Sequence, residues 1–193
     1  MKKIALLLLI FVPLTACKNE AKQKGEEEIT QEEISETETP EEEKDYEGLP
    51  VLLGKQEITA IQNPPYSEWF LENYRYEPKQ EVLSSLKTAL KDIDITIFMG
   101  TWCSDSRQHV PALINVLDAV EFDSRKISLI TVSRDKDTPE KLEEGFDIQF
   151  VPTIILSRNG KETGRIVEYP IKTLEEDLLD IASGKEYKHA YQE

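Results

Sequence analysis

From Ile93 onward the chain alternates strand-like and helix-like stretches, and this alternation limits the folds open to it more than any other feature. Ile93 to Met99, apolar except for Asp94 and Thr96, reads as a buried strand that Gly100 ends. Behind it, Leu113, Ile114, Leu117 and Val120 recur at helical spacing. Ile127 to Val132 reads as the next strand. Thr138-Pro139 then reads as a helix start, a capping residue followed by proline at the first helical position, and the helix is short because Gly145 follows. Phe150 to Leu156 is a third strand, Asn159-Gly160 a hairpin turn, and Gly164 to Glu168 its antiparallel partner. The run Thr173-Leu174-Glu175-Glu176 has the capping-box pattern of a last helix, with Leu174, Leu178, Ile181 and Ala182 as its buried stripe. The order β-α-β-α-β-β-α predicts an α/β fold with a mixed central sheet and helices on both faces. Upstream, Ser67 to about Tyr74 and the repeat Val82, Leu83, Leu86, Ala89, Leu90 predict an N-terminal helical addition.

The N-terminus carries a different kind of signal. Lys2 and Lys3 precede an apolar run from Ile4 to Val12, and Leu14-Thr15-Ala16-Cys17 follows. The run is about half the roughly 20 residues a membrane-spanning helix requires, so it reads as an export signal. Leu14-Thr15-Ala16-Cys17 resembles the bacterial lipobox, which implies cleavage before Cys17 and a lipid on its sulfur. Residues 18–48 hold 13 Asp and Glu against 4 Lys. Such a stretch lacks the apolar surface to offset its own ordering entropy and reads as an acidic tether. The expected organisation is a signal peptide over 1–16, the lipidated Cys17 and tether over 17–48, and one domain over 49–193. The net charge of −15 argues against a nucleic-acid partner, since phosphate binding requires a cationic surface.

Two cysteines are present, and if Cys17 is lipidated, Cys103 is the free thiol of an exported protein. It lies in Gly100-Thr101-Trp102-Cys103-Ser104-Asp105-Ser106, where the first strand gives way to a helix. A helix N-terminus favours an anion through its unpaired N–H groups and macrodipole. Ser104 and Ser106 are expected to cap the helix or bond the sulfur. Asp105 opposes a thiolate, and Arg107 is expected to offset Asp105 in part. His109, about 240° around the helix from Cys103, is expected to be exposed and non-catalytic. With two histidines, neither a metal site nor a cofactor is expected.

The element order and two motifs resemble the thioredoxin superfamily. Thr101-Trp102-Cys103-Ser104-Asp105-Ser106 is similar to that family's Trp-Cys-x-x-Cys at a strand-to-helix junction. Pro111 falls where the family's active-site helix has its kink, and Val151-Pro152-Thr153 resembles its cis-proline loop. The resemblance covers roughly residues 50–185. It implies a thioredoxin-like fold, Cys103 as nucleophile shielded by Trp102, and a substrate groove along Val151, Pro152 and Thr153. Two departures bear on mechanism: Ser106 stands where the second cysteine would be, and Ile97 where thioredoxin has a buried acid.

One sulfur can form a mixed disulfide, but a second thiol from elsewhere must release it. The leading expectation is therefore monothiol disulfide exchange, by reduction or isomerisation, with protein or small-molecule disulfides and thiols as partners. The protein is expected to be a monomer, held by its lipid in the cell envelope outside the cytoplasm. A binding or chaperone-like lipoprotein with little redox activity is the alternative. A peroxide-reducing enzyme with a sulfenic acid at Cys103 is a third reading.

Overall fold

The computed structural model describes residues 43–192. The expected signal peptide, Cys17 and the tether before residue 43 lie outside the described residues. Within them, the elements are β1 (Gly54–Gln56), α1 (Thr59–Gln62), α2 (Ser67–Asn73), α3 (Gln80–Ala89), β2 (Asp94–Met99), α4 (Ser104–Ala119), β3 (Ile127–Thr131), β4 (Thr153–Arg158), β5 (Lys161–Val167) and α5 (Leu174–Ala182). The five strands form one mixed sheet in the order β1-β3-β2-β4-β5. β2 and β3 are parallel, and the other neighbours are antiparallel. This is the thioredoxin-like α/β architecture, with the N-terminal helical addition as α1 to α3.

The register divides the strand residues between two faces. Ile97 pairs with Leu129 on one side and Ile154 on the other, and Ile154 pairs with Ile166. Paired residues share a face, and side chains two apart along a strand share it too, so Ile95, Met99 and Leu156 join them. This face meets Trp69, Phe70, Leu86, Leu113, Leu117, Leu178 and Ile181 in the main core. All five helices contribute buried side chains to this core. α2 packs on α4, and α3 on α5. Each fully buried Leu or Ile stabilises by about 1.5–3 kcal/mol relative to exposure. At Gly164, a Cβ would come within 2.9 Å of Ile181, so the missing side chain lets α5 sit close on β5.

The opposite face corrects the expectation of helices on both sides. Phe98, Ile130 and Ile155 point there and pack against Val132, Val151, Leu142, Phe146 and Ile148. Their cover is residues 133–150, a run of turns. Thr138 does cap: its Oγ1 accepts from Leu142 N at 2.8 Å and its carbonyl from Lys141 N at 3.0 Å. Lys141 then takes φ 57° and Gly145 φ 86°, which end the helical path after one turn. The sequence reading also missed β1, whose Gly-Lys-Gln has no apolar pattern and is ordered by pairing with the edge of β3.

Residues 43–48, assigned by composition to the tether, fold back on the domain. Lys44 bridges to Pro50, and Val51 N donates to Glu43 O at 2.7 Å. Asp45 Oδ1 accepts from the N–H groups of Glu47 and Leu49, closing a turn in which Gly48 takes φ 81°. We call residues 43–50 the strap.

Candidate redox site

The central strand β2 ends at Met99, and its successor Gly100 is under the indole of Trp102. A Cβ there would sit 2.5 Å from the ring, so only glycine permits this stacking. Gly100 O accepts from Cys103 N at 3.0 Å, closing a tight turn that carries the chain into α4. Trp102 is held at its far edge, where Nε1 donates to Val132 O at 2.9 Å. The guanidinium of Arg134 lies 5.4 Å from its ring.

Cys103 is the N-cap residue of α4, with φ −93° and ψ 126°, and makes no side-chain capping bond. The free thiol is half-buried against the smaller core. Its Sγ donates to Val151 O at 3.2 Å. That bond needs the thiol proton, so the sulfur must leave the carbonyl's donor partnership to act as a nucleophile. The Val151–Pro152 peptide is cis, and both residues are buried. Strand β4 begins at the next residue, Thr153, whose Oγ1 donates to Phe150 O at 2.7 Å. Thr153 also lines an open cavity of about 370 Å³ with Phe150, Arg165, His189 and Tyr191. The structure thus brings Trp102, Cys103, Val151, Pro152 and Thr153 together from two loops at one end of the sheet.

The other expected residues point elsewhere. Ser106 is fully buried, and its Oγ accepts from Gly100 N at 3.2 Å, pinning the turn instead of bonding the sulfur. Ser104 is exposed in the first turn of α4, beside Asp105. Arg107, expected to balance Asp105, is buried and turned to the strap: Nε donates to Thr101 O at 2.6 Å, Nη1 to Glu47 Oε2 and Tyr46 Oη at 2.8 Å each, and Nη2 pairs with Asp45. His109 is half-buried, not exposed. Burial lowers its pKa, against the pull of Asp105. Pro111 lies inside α4 and has no N–H to return to Arg107 O.

Four contributors escaped the sequence reading: Gly100, Arg134, Asp45 and Glu47. The two carboxylates were averaged into an acidic run. The available signal was Arg107 itself, since an arginine four residues along a core-facing helix needs a buried acid.

Among the described residues, one half-exposed free thiol stands at a strand-to-helix turn and faces a cis-proline loop on a five-stranded sheet. No family model matches the chain. A Dictyostelium discoideum protein bearing the thioredoxin name is 35% identical over 91 residues, spanning 46% of this chain and 81% of that protein. A thioredoxin of Echinococcus granulosus is 30% identical over 91 residues, 46% of this chain and 79% of its own. Among solved structures, an HIV epitope-scaffold superposes with a TM-score of 0.50 at 13% identity, over 68% of this chain and 94% of that one, a likeness of fold alone. The chain belongs to the thioredoxin superfamily.

Proposed function

We propose that the protein catalyses monothiol disulfide exchange through Cys103 and that a lipid on Cys17 holds it at the cell envelope, outside the cytoplasm. The observation that carries the chemistry is the half-exposed Cys103 Sγ at the start of α4, 3.2 Å from Val151 O in the cis-proline loop. The Cys103 thiolate attacks one sulfur of a substrate disulfide. The Sγ–S bond forms, the substrate S–S bond breaks, and the departing thiolate takes up a proton. Ser106 at the helix's first turn has no sulfur to attack the new bond, so a second thiol must do so. If the substrate supplies it, the outcome is isomerisation; if a small thiol or partner protein supplies it, the outcome is reduction.

The substrate lies along Val151, Pro152 and Thr153 as an extended segment, its sulfur over Cys103 and its flank against Trp102. The acidic composition of residues 18–42 supports a tether role between lipid and domain, and the monomer is the working unit.

Capture of partners as mixed disulfides tests the reading, with full-length protein in its own cell envelope and Cys103→Ala as control. Adducts that disappear with dithiothreitol and are absent from the Cys103→Ala sample are expected. No adduct above that control would favour the binding-protein reading.

A further inference from the structure

We propose that the strap, residues 43–50, is a built part of this redox site, and that Arg107 and Arg134 are the positioning residues through which it holds the Trp102-Cys103 loop. The catalytic consequence rests on the redox reading above; the strap's grip on the loop does not.

Two arginines from different elements converge on the strap from either side of the loop. Arg107 is one turn past Cys103 on α4. Its side chain is 5% exposed and that of its partner Asp45 is fully buried. One guanidinium joins Thr101 O to Asp45, Glu47 and Tyr46, while its Cζ lies 4.8 Å from the Tyr46 ring and 5.6 Å from that of Trp69. Two residues past the strap the chain meets the same residue again, since Leu52 N donates to Thr101 Oγ1 at 3.2 Å. Thr101 is therefore held at its carbonyl and at its hydroxyl, and it is the residue before Trp102. On the other side, Arg134 donates to Lys44 O at 3.1 Å, faces Glu43 Oε1 at 3.4 Å, and covers the Trp102 ring.

A pair on the surface would hold a loop weakly, because solvent and salt screen it. Arg107 and Asp45 are out of solvent, where removing Arg107 leaves Asp45 buried without its cation and removing Asp45 leaves Arg107 only the exposed Glu47. The planar fork satisfies three directions at once, which a lysine ammonium on a flexible stem cannot do in the same geometry. The strap therefore fixes where the turn 100–103 presents its sulfur relative to the proline loop. A polypeptide substrate that spans both loops requires that registration; a small disulfide that meets only the sulfur does not.

The test uses the full chain with Asp45→Asn and, separately, Arg134→Gln, the second at an exposed side chain. Two quantities are measured. Amide hydrogen exchange in 100–104 is compared with that in α5, and mixed-disulfide formation with insulin is compared with that of a nitrobenzoate disulfide. Exchange in 100–104 is expected to accelerate about tenfold with α5 unchanged. The insulin reaction is expected to slow about tenfold while the small disulfide stays within about twofold. Unchanged exchange at 100–104 in Arg134→Gln overturns the proposal, as does equal acceleration in α5 or an equal change in both reaction rates. If wild-type protein reacts with neither disulfide, the redox reading falls and the exchange comparison alone decides the strap.

Discussion

Gly100 shows how much of the site a single missing side chain controls. The Trp102 indole occupies the space of its absent Cβ and reaches Val132 O from there. Gly100→Ala is expected to push the ring off that carbonyl at a cost of about 1–3 kcal/mol, the usual penalty for overfilling a packed site. Thermal denaturation and a red-shifted indole emission would report it; unchanged stability and emission would contradict the packing described. At this scale the sequence was partly legible. Cys103, Trp102 and Pro152 were singled out because their residue types carry chemistry, and the structure brings them to one end of the sheet. Gly100, read as the end of a strand, concealed its second role because a contact with residue 102 depends on the turn's closure. Ser106 was expected near the sulfur, but its hydroxyl serves Gly100 N, a partner set by the same closure.

Among the elements, α5 ties the helical addition to the sheet. Its Glu175 is fully buried and accepts from Tyr76 Oη at 2.9 Å and Lys79 N at 3.0 Å, fixing the turn between α2 and α3. Burial, followed by that bond, raises the Tyr76 pKa to about 12; the bond to Asp118, followed by burial, raises Tyr74 to about 12. Both phenols bind their proton more tightly folded than unfolded. Their stabilisation is therefore complete below about pH 10 and is lost as pH rises towards 12. The urea midpoint is expected to fall between pH 10 and 12, and Tyr76→Phe to flatten part of that fall; an identical slope would contradict the coupling. Helix and strand positions were legible here because apolar periodicity reports burial, and Thr173 caps α5 as read, its Oγ1 accepting from Glu176 N, while the Glu176 carboxylate accepts from the Thr173 hydroxyl and Lys79 Nζ. The helix after Thr138 was misread because capping residues specify a start and not a length; Lys141 at positive φ decides the length.

Across the whole molecule, the fold and the location of the thiol followed from element order and motif, whereas the strap did not. Window composition describes 18–48 as uniformly acidic, yet Asp45 is buried against Arg107. A carboxylate's burial depends on a partner more than sixty residues away in sequence, which no local average contains. Among the described residues, the molecule holds one free thiol against the proline loop, on a turn tied by arginines to the strap, with no second sulfur in the helix turn that follows. Peptide mapping after incubation with oxidised glutathione tests this most directly. Wild-type protein is expected to carry glutathione on Cys103 until an external thiol is added, and Ser106→Cys to release it by closing an internal disulfide. Absence of the wild-type adduct, or its loss without added thiol, would contradict the account.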